Sequence, residues 1–145
     1  MSGARTTIFE LNGQRYQLSK MDPVIGGFLW QKFVAAGFKA SLSFRTAESA
    51  SSEVTDVPET TPEQRTRGAV AIGLTQFSLE DYRQLVKETM NVVRRLTSLE
   101  AAQEVPMPVR SDDGRWAFPD LAEDPMAVTR LMTEALVFNL TSFLD

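Results

Sequence analysis

The stretch Thr6-Thr7-Ile8-Phe9-Glu10-Leu11-Asn12-Gly13-Gln14-Arg15-Tyr16-Gln17-Leu18 decides how the chain begins to fold. Asn-Gly between two alternating runs is the strongest short hairpin signal, because both central positions of a type I′ turn need positive φ. A two-residue loop pairs Leu11 with Gln14, Phe9 with Tyr16 and Thr7 with Leu18. That register puts Phe9, Leu11, Tyr16 and Leu18 on one face and leaves Glu10, Arg15 and Gln17 on the other. A lone hairpin is marginal in water, so its apolar face is expected to lie against the helix that follows.

That helix opens at Asp22-Pro23, a capping carboxylate followed by a residue with φ preset. It is expected over residues 23–36, with Gly37 as its stop. Ile25, Phe28, Leu29, Phe33 and Ala36 form one apolar stripe, while Trp30 and Val34 fall on another side. Residues 38–45 read as irregular or extended, with the option of a third strand beside the hairpin. Residues 46–61 are rich in Ser, Thr and Glu and poor in large apolar groups, so a mobile surface loop is expected there.

Thr61-Pro62-Glu63-Gln64 has the form of a capping box, and a helix follows it toward Phe77. Ser78-Leu79-Glu80-Asp81 opens a second helix, whose stripe of Leu79, Tyr82, Leu85, Val86, Val93 and Leu96 predicts that it runs on through Arg94 and Arg95. Pro106 and Pro108 interrupt regular structure. Asp113-Gly114 suggests a second short hairpin, and Asp124-Pro125 repeats the device of Asp22-Pro23 to start a helix reaching Phe143. Asn139 falls in the middle of that helix's main apolar face, where an amide needs partners or costs about 1–3 kcal/mol. Val137, Leu140 and Leu144 make a second stripe at i, i+3, i+7. The expected fold is α+β and mainly α-helical: an N-terminal β-hairpin packed on a small helical bundle, in one domain of 145 residues.

Composition narrows the chemistry. The chain has no Cys and no His, and its net charge is −4. Disulfides, thiolate nucleophiles and Ser–His catalysis are thereby excluded, along with most zinc and transition-metal sites. The acidic balance without a basic patch argues against nucleic acid as a partner. No run of 18 apolar residues occurs, and the N-terminal residues lead into a strand-like stretch rather than a signal sequence, so no membrane partner is expected. Asp112-Asp113 reads as turn chemistry and Glu80-Asp81 as helix N-terminal charge. No GxxxxGK[ST] or strand–GxGxxG–helix occurs. The expectation is therefore no enzyme, no cofactor and no metal. What remains is surface: two helices with surplus apolar stripes, in a chain with six Met and nine Phe suited to adaptable contacts.

The order of elements resembles the tail assembly chaperones of long-tailed bacteriophages. The resemblance lies in Phe9-Glu10-Leu11-Asn12-Gly13-Gln14-Arg15-Tyr16 followed by Met21-Asp22-Pro23, and in Phe77-Ser78-Leu79-Glu80-Asp81-Tyr82. It continues in Phe118-Pro119-Asp120-Leu121 and Glu134-Ala135-Leu136-Val137-Phe138-Asn139-Leu140-Thr141-Ser142-Phe143. The resemblance implies a non-catalytic role in the host cytoplasm. Such a protein coats the tape measure protein, keeps it soluble, yields it to tail tube protein subunits and is missing from the virion. Trp30, Val34, Val137, Leu140 and Leu144 are the expected contact residues, and self-association into a homo-oligomer stays open. Two other readings fit the same residues: a structural tail-completion or head–tail connector protein, and a small cytosolic adaptor.

Overall fold

The computed structural model describes residues 5–48, 61–98 and 103–141, with side chains described through residue 35 in the first stretch. Its elements are β1 (Thr6–Leu11), β2 (Gln14–Ser19), α1 (Pro23–Glu48), α2 (Pro62–Leu74), α3 (Leu79–Met90), β3 (Val93–Ser98), β4 (Glu104–Pro108), α4 (Pro119–Ala122) and α5 (Pro125–Leu140). The chain is α+β and mainly helical. One antiparallel sheet runs in the order β1-β2-β3-β4.

The hairpin folds in the expected register, Leu11 opposite Gln14 and Phe9 opposite Tyr16, around Asn12 at φ 52° and Gly13 at φ 78°. Leu11, Tyr16 and Leu18 are buried, and Phe9 packs against the same core. Val93 extends this inner face on β3, opposite Leu18. The core continues into Leu29 and Phe33 of α1, Val70 of α2, Leu85 and Met90 of α3, and Leu131 to Leu136 of α5. Gly73 lets α2 approach α1: a Cβ there would lie 2.4 Å from the Phe33 ring. Arg67 of α2 pairs with Glu134 of α5 and, at 3.1 Å, with Glu63 one turn earlier. The Glu134 bond holds the guanidinium charged more firmly than in water.

Helix starts follow their caps. Thr61 and Gln64 form the reciprocal capping box, Ser78 Oγ accepts from Asp81 N–H, and Asp124 accepts from Ala127 N–H at 3.1 Å. Asp22 likewise accepts from Val24 N–H at 2.8 Å.

Four expectations are corrected. Gly37 does not stop α1, and residues 38–45 are helical, since a single glycine costs only about 1 kcal/mol inside a long helix. Within residues 46–61, 46–48 close α1 and Thr61 caps α2, while residues 49–60 lie outside the described residues. Helix α3 ends at Met90, and Val93, Arg94, Arg95 and Leu96 form a strand because the free side of β2 offers them a ladder. Pro106 and Pro108 do not interrupt regular structure: they sit in β4, an edge strand, where missing donors can face outward. The turn at Asp113-Gly114 forms as expected but carries only one bridge, Arg110 opposite Trp116.

Candidate functional site

The described part of the expected contact stripe on α5 is buried. Val137 is 4% exposed and Leu140 is 1% exposed, and Leu144 lies outside the described residues. The reason is geometric. Helix α5 packs against β1 and β2 as well as α1, α2, α3 and α4, so a helix apolar on several sides is enclosed rather than shared. Trp30 is half-buried against the core, and Val34, half exposed, is left on the outside of α1.

Asn139 finds the partners its position demanded. Its Oδ1 accepts from Met21 N–H at 2.6 Å, and its Nδ2 donates to the carbonyls of Ser19 at 3.0 Å and Ala135 at 2.9 Å. Lys20 Nζ donates to the carbonyl of Phe138 at 2.8 Å and lies 4.1 Å from the Phe138 ring centroid. A cation thus satisfies a last-turn carbonyl of α5, where the helix dipole favours positive charge. These contacts bolt the β2–α1 junction to the end of α5.

The other end of α5 is open. Leu79, Tyr82 and Val86 of α3, Trp116 of the 110–116 turn, Leu121 of α4 and Val128 of α5 line a groove of about 600 Å³. Arg83, Arg110 and Glu123 place charge along it. Leu79 is 67% exposed and Met126, in the first turn of α5, is 69% exposed. Tyr82 Oη and Thr129 Oγ1, 3.4 Å apart, tie α3 to α5 along the wall. The turn carrying Trp116 is itself held. Gly114 takes φ 88°, Arg110 donates to its carbonyl at 3.3 Å, and the Arg110 guanidinium lies 5.4 Å from the Trp116 ring. Asp113 accepts from Ser111 Oγ–H and from Arg115 N–H, which keeps its carboxyl below the usual range.

A second apolar surface borders the first. Val24, Phe28 and Val34 of α1 are all at least half exposed. Phe28 belongs to the expected core stripe, but only Leu29 and Phe33 of that stripe are fully buried among the described side chains. Lys32 lies 5.5 Å from the Phe28 ring centroid and 3.7 Å from Asp81, joining this face to the first turn of α3, where the groove begins.

Buried charge in the molecule serves the fold. Arg95, 8% exposed on the inner sheet face, meets both oxygens of Asp120 at 2.9 and 3.0 Å and stacks 4.4 Å from Phe118. Burial beside it raises the Tyr16 phenol pKa, an effect the Arg95 charge partly offsets. Among the described residues, no group of three or more Asp or Glu is placed to hold a metal ion, and no helix is long and apolar enough to cross a membrane.

The groove escapes a reading of periodicity because its walls come from four separate segments. Leu79 counts with the core stripe of α3, although it directly follows the cap Ser78 and precedes two acidic residues, a first-turn position commonly exposed. Fold and groove define the class: a small α+β protein with helices against a four-stranded antiparallel sheet, three of them inserted between β2 and β3, and an open groove between α3 and the start of α5. No protein-family model, no curated protein and no solved structure matches the chain.

Proposed function

We propose that the chain is a non-catalytic chaperone of phage tail assembly. It receives apolar helical segments of the tape measure protein in the groove between α3 and α5, keeps them soluble in the host cytoplasm, yields them to tail tube subunits and leaves before the virion is complete. The resemblance of the hairpin, the Ser78 helix start and the C-terminal block supports the family. The observation that carries the reading is the groove itself, where Leu79, Trp116 and Val128 offer apolar surface to a visiting helix. Covering such surface is favourable by about 25 cal/mol per Å². Weak copies along one long client would add by multivalency, and each is still released when a tube subunit competes. The net charge of −4 keeps coated complexes apart.

The test is co-expression with a tape measure fragment. The fragment stays in the supernatant with the wild-type chain and returns to the pellet with Leu79→Asp, whose circular dichroism is unchanged. A fragment no more soluble with the wild-type chain than alone overturns the chaperone role. Equal solubility with Leu79→Asp moves the contact elsewhere on the molecule, with the α1 face of Val24, Phe28 and Val34 next in line.

A further inference from the structure

The two edges of the sheet are built differently. Lys20 N–H donates to the Arg5 carbonyl and Ser19 N–H to the Val92 carbonyl, which fixes the hydrogen-bonding parity across the sheet. Odd residues of β1 bond to β2, so the backbone groups of Thr6, Ile8 and Glu10 point away from the sheet. On β4, Val105 and Met107 are the residues that bond to β3, opposite Thr97 and Arg95. The outward positions there are Glu104, Pro106 and Pro108, and two of these have no N–H to give. Edge strands are a liability that proteins blunt with proline, lysine or bulges. This chain blunts β4 and leaves β1 bare: six regular residues without a proline, a lysine or a bulge.

We infer that β1 pairs antiparallel with β1 of a second copy, about a two-fold axis beside Ile8, to give a continuous sheet across the dimer. The sequence of β1 is complementary to its own reverse in that register. Ile8, 47% exposed on the outer face, meets its image, and Glu10 meets Thr6 of the other copy rather than another carboxylate. The Thr6 hydroxyl donates to that carboxylate, since Arg15, opposite Glu10 on β2, is engaged by Glu104 at 2.7 Å. Thr6, Ile8 and Glu10 are all exposed, and among the described residues no helix covers this side of the strand. Each opposed outward pair exchanges both of its N–H···O bonds. The prolines of β4 then stop growth at two copies, so the assembly closes as a pair instead of extending into a fibre.

Sedimentation equilibrium of the full chain tests this. The wild-type chain approaches twice its 16.2 kDa mass as concentration rises, and the amides of Ile8 and Glu10 become protected from hydrogen exchange together with that rise. Ile8→Pro removes the central donor from the side not used by β2, and returns the mass to 16.2 kDa with the circular dichroism retained. Should that variant fail to fold, Ile8→Lys, which changes only an exposed outer-face side chain, carries the same expectation. A wild-type chain that stays monomeric at its highest soluble concentration overturns the inference. So does a dimer that survives Ile8→Lys with the Ile8 and Glu10 amides still exchanging freely.

Discussion

The two ends of α5 obey opposite rules. At its C-terminal end Leu136, Val137, Asn139 and Leu140 are all buried, and the one amide among them is fully engaged with the β2–α1 junction. At its N-terminal end Met126 stands out in solvent and Val128 lines a channel. Both ends are apolar in sequence. Apolarity therefore did not distinguish them; the number of neighbouring elements did. The C-terminal half is clasped by the sheet, while the N-terminal half has α3 on one side and otherwise short segments, α4 and the 110–116 turn, that leave a gap.

The sharpest way to break this contrast is Leu140→Asp. A carboxylate at a position 1% exposed is expected to cost about 5 kcal/mol and leave the chain unfolded by circular dichroism. A folded Leu140→Asp chain would mean that the C-terminal end is as open as the other. Next comes Asn139→Leu, which strands the Met21 N–H and the Ser19 carbonyl. About 3 kcal/mol should disappear from chemical unfolding, because each orphaned buried group costs about 1–3 kcal/mol.

A smaller effect belongs to Tyr16, on the buried inner face. Its pKa is raised in the folded chain, so the unfolded chain releases that proton first as pH rises. Its contribution is fully present below the ordinary tyrosine value of about 10 and is lost as pH climbs through the higher folded value. Tyr16→Phe should flatten the alkaline loss of thermal stability. Smallest of all is the stability change of Leu79→Asp at the open end, expected within about 0.5 kcal/mol since the side chain is already in water. A large loss there would show that the groove is core.

The hairpin was legible to the residue because period-two alternation and Asn12-Gly13 act over a few neighbours. The caps at Thr61, Ser78 and Asp124 were legible for the same reason. Strand β3 was not. Its inner face carries Arg95, which spoils the alternation, and Val93 with Leu96 also fits a helical stripe. Strand β4 hides behind Pro106 and Pro108, acceptable only because no strand among the described residues pairs on that side. Of the contact residues proposed from sequence, Val34 is on the outside, Trp30 is half-buried, and Val137 and Leu140 are core. A stripe shows that a helix face must be covered, never by what.

The clasp at Asn139 joins residues 118 and 120 positions apart. During synthesis the turn out of the N-terminal hairpin can form early, yet its Met21 N–H and Ser19 carbonyl lack their Asn139 partner until α5 emerges from the ribosome. Such distant pairing slows folding and prolongs the exposure of the nascent apolar face. The chain must therefore first survive a long interval with its own apolar surface uncovered.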